Sequence, residues 1–345
     1  MAGPRAGRAA SGDGATLIRR YAAEIDDPWA VCHGLRGMGR EFTVKGGRPA
    51  VDFLLETQLT SAPVNGRPVL AFPIQVEVHP NSFLKTMLEA GVPLDHAFTH
   101  QGTQRTLREV VDGARALFRP KQIARQASKP QRANAVPWSI IAFARTTSPL
   151  RPRWTNAWDE PVELDPVVED ALRLLEDGSQ PLMDAMRQGK AESTKAMVHD
   201  YTCGGTHLIY ALLAAIHAGY TGRDRVERMQ RQVDLLVWRM KADIDLIGRF
   251  YQQRASHPGR YWFELDSKLK LLGHGEECLA LGTGRGVVAL SPAQQAQRRT
   301  AVASIRQMLD DMEGRNVREA RGFDVDLYRQ LVGDACHARH GLTLA

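Results

Sequence analysis

Residues 199–220 read HDYTCGGTHLIYALLAAIHAGY. His199, Cys203 and His207 come at four-residue spacing, Gly204 and Gly205 split the last two, and a run without Asp, Glu, Lys or Arg follows to Tyr220. A helix that is apolar on every side is a buried one. The stretch therefore predicts a buried helix whose first turn carries reactive side chains beside glycines. Free backbone N–H groups at such a helix start also favour an anion.

Two other stretches share this character. HGLRGMG (33–39) and KLLGHGEECLALG (270–282) each combine histidine with Gly, Ala or Cys. Glycine costs about 1 kcal/mol in a helix interior, so its repetition needs a reason, either close helix packing or backbone approach to a ligand. Between these lie ordinary amphipathic helices, expected near 105–118 and 165–177, with charged outer faces. Small-residue inner helices alternating with charged outer helices suit an all-α fold of the α/α-toroid kind, in which the histidine-bearing helix starts gather around a central cavity. An antiparallel helix bundle or a helical repeat array is the alternative.

The rest of the chain agrees with an all-α reading. Asp27 and Pro28 form a helix entry, cap then first position. A helix is expected near 49–57, another at SFLKTMLEAG ending at Gly91, the longest at about 223–252, one beginning at Pro292, and the last near 324–337. Ile74, Val76 and Val78 alternate with polar residues, which is a strand period, so an extended segment or one short β-hairpin is expected near 70–79. GTGRG at 282–286 follows a helix rather than a strand and reads as a turn. No strand alternates with a helix in the βαβ manner, which argues against a parallel sheet.

Bulk properties set outer limits. The 345 residues are 43% hydrophobic and 24% charged, a globular composition. Residues 1–14 are small, polar and basic and are expected to be disordered; 15–345 are expected to form one helical domain. The start lacks the apolar core of a secretory signal, so the cytoplasm is the default expectation, with export left open. No run is long and apolar enough to span a membrane. A net charge of +6 over this length does not imply nucleic acid. Oligomeric state is not legible.

Four widely spaced cysteines, Cys32, Cys203, Cys278 and Cys336, contain no CxxC and do not suggest a disulfide framework. Three kinds of chemistry are open. Zinc could be held by Cys32, His33, Cys203 and His207, though no spacing is a zinc signature; the other option is no cofactor. Metal-free acid–base catalysis could use His199, His207, His274 and Glu277, with Tyr201 or Tyr210 assisting. Glu277 follows His274 by three residues and shares its helix face. Cys203 could be a nucleophile, its pKa lowered by a helix N-terminus.

From Gly113 to Trp158 there is no acidic residue but there are nine Lys or Arg. This basic, Trp- and Pro-rich region, about 119–160, is expected to be mostly loop around one apolar helix, PWSIIAFARTT. Its Trp138, Trp154 and Trp158 could stack on a sugar or a base and its arginines could bind an anionic group. A small-molecule or oligosaccharide-like ligand is the expected partner. His79, His96 and His100 fall on expected loops, and the tail histidines, His337 and His340, read as surface residues.

The overall pattern resembles the α/α-toroid enzymes, among them squalene-type terpene cyclases, prenyltransferase β-subunits, lanthipeptide cyclases, and sugar lyases and epimerases. Locally, VCHGLRGMG (31–39) is similar to the CHGxxG of lanthipeptide cyclases, although that family's WCYG element has no counterpart here. The resemblance implies a zinc ion held by Cys32 and His33 with Cys203 as a second thiolate. It implies lyase, epimerase or cyclase-like chemistry in a central cavity. A non-catalytic helical protein binding a ligand or peptide in the same concavity is the competing expectation.

Overall fold

The computed structural model describes residues 12–24, 26–190, 203 and 205–344. Fifteen α-helices and three two-stranded antiparallel hairpins lie among them. In chain order the helices are α1 (Ala15–Tyr21), α2 (Pro28–Met38), α3 (Ala50–Gln58), α4 (Ile74–Glu77), α5 (Ser82–Glu89), α6 (Leu107–Leu117), α7 (Pro120–Gln126) and α8 (Lys129–Ala135). They continue with α9 (Pro137–Thr146), α10 (Leu164–Arg187), α11 (Thr206–His217), α12 (Arg225–Gln252), α13 (Arg260–Gly284), α14 (Pro292–Glu313) and α15 (Val325–Leu344). No described helix is long and apolar enough to cross a membrane.

Local chemistry explains the boundaries. Asp27 caps α2 through the N–H of Ala30, and Pro28 occupies the first position, as its sequence implies. Ser291 and Gln294 form a capping box at α14, with Pro292 between them. The apolar run after TCGG is α11, and every residue from Thr206 to Ile216 is buried. Residue Gly12 donates to Asp310 (3.0 Å), and Asp13 pairs with Arg339, so this part of the expected N-terminal tail is held on the body. Residues 1–11 lie outside the described residues.

α2 packs on α5, α5 on α9, α9 on α11, α11 on α13, α13 on α15, and α15 on α2. In addition, α1 and α3 pack on α2, α6 on α9, α10 on α9 and α11, α12 on α11 and α13, and α14 on α13. The helix glycines serve close packing. A Cβ at Gly341 would come 2.8 Å from the backbone N of Glu277, and one at Gly333 would come 2.5 Å from the Trp29 ring. These contacts bring α15 against α13 and α2.

Two expectations fail. No hairpin lies at 70–79. The nearest hairpin pairs Thr60–Val64 (β1) with Arg67–Ala71 (β2), and Ile74–Glu77 is the helical turn α4. The three alternating residues also fit one helical turn. Glu77 closes it by turning inward to accept the N–H groups of Asn81 (2.7 Å) and Phe83 (3.3 Å). Burial holds the Glu77 carboxyl up at about 8 despite these donors.

The basic region also has more structure than a loop. It forms α7, α8 and α9, then the hairpin Arg153–Thr155 (β5) with Pro161–Glu163 (β6). Arg119 is neutralised by Glu160, which accepts from its Nε and Nη2 at 3.0 and 2.7 Å. The remaining hairpin joins Ala97–His100 (β3) to Thr103–Thr106 (β4).

Candidate functional site

A cavity of about 240 Å³ opens among α2, α5, α9, α11, α13 and α15. Trp29, Cys32 and His33 come from α2, Lys85 and Thr86 from α5, Trp138 from α9, and His207 from α11. Lys270 and His274 come from α13, Asp334 and His337 from α15, and His79 and Cys203 from connecting segments. Five imidazoles therefore share one cavity.

The floor of the cavity is ionic. Glu277, 2% exposed, accepts from Arg36 Nε (2.5 Å), and its oxygens also meet Nδ1 of His337 (2.9 Å) and of His340 (2.5 Å). Arg36 Nη1 donates to Glu89 (2.5 Å), which also takes Lys85 Nζ (3.0 Å). Tyr210 lies under the Arg36 guanidinium, 4.8 Å from its centre. Burial opposes the charge on Glu277, yet Arg36 and His337 hold its carboxyl well below the usual carboxylate range. Burial likewise opposes the charge on Arg36, and Glu277 and Glu89 keep it on. Arg36 and Thr86 also border a second cavity of about 300 Å³ with Glu89, Arg339 and His340 in its wall, so the ionic layer divides the interior.

The wall above is organised differently. His274 Nε2 bonds Asp334 Oδ1 (3.1 Å), and the His274 and His337 rings stack with centroids 3.8 Å apart. His207 lies 5.4 Å from His274 and 4.6 Å from Trp138, ring to ring. His33 Nδ1 meets the Trp29 carbonyl (2.8 Å). Among the described residues His207 Nδ1 and Trp138 Nε1 are buried with no hydrogen-bond partner. Asp334 Oδ2 likewise accepts no hydrogen bond, with Lys270 Nζ 3.8 Å away.

Burial disfavours the charged form of His33, His207 and His337. It pushes His33 down to about 4, with the Trp29 carbonyl opposing. It pushes His207 well below the usual range, helped by His274 and His79, and does the same to His337, helped by His274. Nearby, burial and then the Asp334 charge raise the Asp266 carboxyl to about 7. Burial opposes the charge on Lys270, but Asp334 and Asp266 hold it on more firmly than usual.

Cys203 and His207 reach the cavity from the stretch that raised the question. Cys203 adopts a left-handed backbone with φ 47°, and Thr206 Oγ1 donates to its carbonyl (2.7 Å). Gly205, φ 84°, then starts α11. Sγ of Cys203 and ring nitrogens of His207 and His274 lie within 4.8 Å of one another. The ligand atoms of His274, Glu277 and His337 form a second such group.

At Cys203 the thiol shift runs opposite to the lowering expected at a helix start. Burial, then the Asp334 charge, push the Cys203 thiol up to about 12, so desolvation outweighs the helix-start effect. Cys32 is held near 12 by burial too, against a hydrogen bond to Thr86.

The other expected residues divide. His33, Cys32, His207 and His274 line the cavity, and Glu277 lies behind the lining residues Arg36 and His337, bonded to both. Cys32 and His33 stand in neither ligand group. Tyr210 is buried against the floor. Trp154 and Trp158 are elsewhere: Trp154 donates to the Arg115 carbonyl (3.0 Å) and packs on Phe143, and Trp158 lies under Arg119. His199 and Tyr201 lie outside the described residues.

His337 and His340 are not surface residues; both turn inward to Glu277. The readable signal was DACHARH, where Asp334, His337 and His340 recur every three residues on one helix face. Of the three tryptophans expected to stack on a ligand, Trp138 lines the cavity. Lys85, Arg36 and Lys270 gave no sequence signal as site residues, because nothing local marks which side of a helix meets a cavity.

No family model matches the chain, and neither a curated protein nor a solved structure matches it.

Proposed function

We propose that the chain is an α/α-toroid enzyme that moves protons on a small ligand in its central cavity, by lyase, epimerase or cyclase-like chemistry. The alternation of six inner and several outer helices supports the toroid, since each inner helix packs on the next and α15 returns to α2. The observation that carries the activity is the set of five imidazoles around one cavity. Two of them are oriented by buried carboxylates, His274 by Asp334 (3.1 Å) and His337 by Glu277 (2.9 Å).

A buried carboxylate that fixes one ring nitrogen leaves the other aimed and available for proton transfer. His274 in this role is the base, and His207, with its Nδ1 unpartnered, is the proton donor or acceptor on the facing side. Trp29 and Trp138 offer faces for a sugar ring, and Lys85 and Lys270 offer positive charge for an anionic group. The cavity volume favours a single sugar unit or small hydroxy acid over a longer oligosaccharide.

The test starts with a thermal-shift screen of small carboxylates, sugars and sugar acids. Ligands that stabilise the protein are then incubated with it in deuterium oxide and followed by proton NMR. Loss of a carbon-bound proton signal with wild type, slowed at least ~100-fold in His274→Asn, is the expected result. A ligand that binds tightly and exchanges nothing would make the cavity a binding site and end the enzymatic reading.

A further inference from the structure

We infer that Cys203, His207 and His274 hold a zinc ion whose open fourth position faces the cavity. This rests on the proposed function and its cavity and changes one role in it: with zinc bound, His207 and His274 would be ligands, and water at the open position would take over the proton transfer assigned to their rings; it is tested by binding.

Three observations converge. The first is the ligand set. One sulfur and two imidazole nitrogens lie within 4.8 Å of one another, Cys203 and His207 from the turn and first residues of α11 and His274 from α13, distant in sequence. Around a tetrahedral zinc, with bonds of about 2.0–2.3 Å, ligand atoms stand about 3.5 Å apart. Closure of the group therefore needs only small side-chain adjustments. Sulfur with imidazole suits zinc and not magnesium or calcium, which take oxygen ligands.

The second is His207 Nδ1. The residue is 7% exposed, lines the cavity, and this nitrogen has no partner among the described residues. A buried polar atom without a partner costs about 1–3 kcal/mol, and a metal bond removes that cost.

The third is Asp334. It bonds His274 Nε2 and so leaves Nδ1 as the coordinating nitrogen. Carboxylate behind imidazole is the arrangement that orients metal-binding histidines. The left-handed turn at Cys203 brings its sulfur to the same point. Three protein ligands and an open position are what a catalytic zinc requires: it binds a water or polarises a substrate oxygen there.

The experiment uses full-length protein purified without a polyhistidine tag, stripped with a chelator and titrated with cobalt(II), then zinc. Stoichiometric cobalt with a near-ultraviolet sulfur-to-cobalt charge-transfer band, displaced by zinc, is expected for wild type. Cys203→Ser should lose the band. Asp334→Asn should keep the band and bind about 10–100-fold more weakly. Absence of the charge-transfer band in wild type overturns the inference without reference to any variant's folding. So does its persistence in Cys203→Ser. Proton exchange by metal-free protein would also overturn a catalytic zinc while leaving acid–base catalysis intact. Bound metal without exchange on any ligand would uphold the site and remove the proposed activity.

Discussion

The floor and the wall of the cavity are built from the same residue types and behave in opposite ways. On the floor, Arg36, Lys85, Glu89, Glu277, His337 and His340 bond one another. In the wall a few ångströms away, His207 Nδ1 and Trp138 Nε1 have no hydrogen-bond partner among the described residues, and Asp334 Oδ2 accepts none. A complete buried ionic network is a structural device, costly to break. A buried polar set left incomplete is costly to keep, and a fold carries that cost where a ligand completes it. The floor is therefore read as support, which also holds Lys85 and His337 at the cavity lining, and the wall as the working surface.

The comparison would break first at Glu277. Removing its carboxylate leaves Arg36 charged and buried with only Glu89 beside it. Glu277→Ala should lose about 3–5 kcal/mol in equilibrium urea unfolding, and a loss below 1 kcal/mol would mean that the floor is not a support. pH gives the same test. The folded-state pKa of Glu277 lies well below its ordinary value of 4.5. Its contribution is thus full above pH 4.5 and fades as pH falls through the folded value. Glu277→Gln should lower stability at neutral pH and flatten the acid limb of the stability profile.

Next in size is a wall effect on function. Asp334→Asn keeps the shape beside His274 but no longer holds its tautomer with a charge. Proton exchange on a bound ligand should slow by about 10-fold or more, with a shifted pH profile and far-ultraviolet circular dichroism unchanged. An unshifted profile would make Asp334 a packing residue.

Trp138→Phe should move stability by about 1 kcal/mol or less, in either direction, since it deletes an unpartnered N–H and keeps most of the ring. Ligand affinity should fall by more than stability does; equal losses would place Trp138 with the floor. The smallest effect is expected at a half-buried control away from the cavity. Glu176 accepts from Arg228 between α10 and α12 (2.6 Å) at the partly solvated outer layer. Glu176→Ala should cost about 1 kcal/mol or less.

What the sequence made legible follows the range of the forces involved. Asp27 with Pro28, Ser291 with Pro292, and the apolar run of α11 are set by residues within one turn, and all three were readable. Ile74, Val76 and Val78 misled because three alternating residues fit a strand or a helical turn. The choice was made by Glu77 reaching the N–H groups of Asn81 and Phe83. His337 and His340 were misplaced because nearness to the chain end was taken as exposure. Their partner, Glu277, lies about sixty residues away, outside any local pattern. Cys203 lines the cavity as its stretch suggested, but the direction of its thiol shift was not legible, since burial depends on the whole fold and the helix-start effect does not. The candidate site was thus half legible: His207, Cys203, His274, Glu277 and Trp138 from composition and spacing, and Asp334, Lys270 and Arg36 only from the packed structure.

The measurement that most directly separates floor from wall is the urea stability of His207→Phe beside wild type, both stripped of metal with a chelator. The substitution keeps an aromatic ring and removes the unpartnered nitrogen. Stability within about 1 kcal/mol of wild type, or above it, is expected if His207 is held for function. A loss as large as that of Glu277→Ala would make His207 a structural histidine and contradict the division on which the proposed function stands.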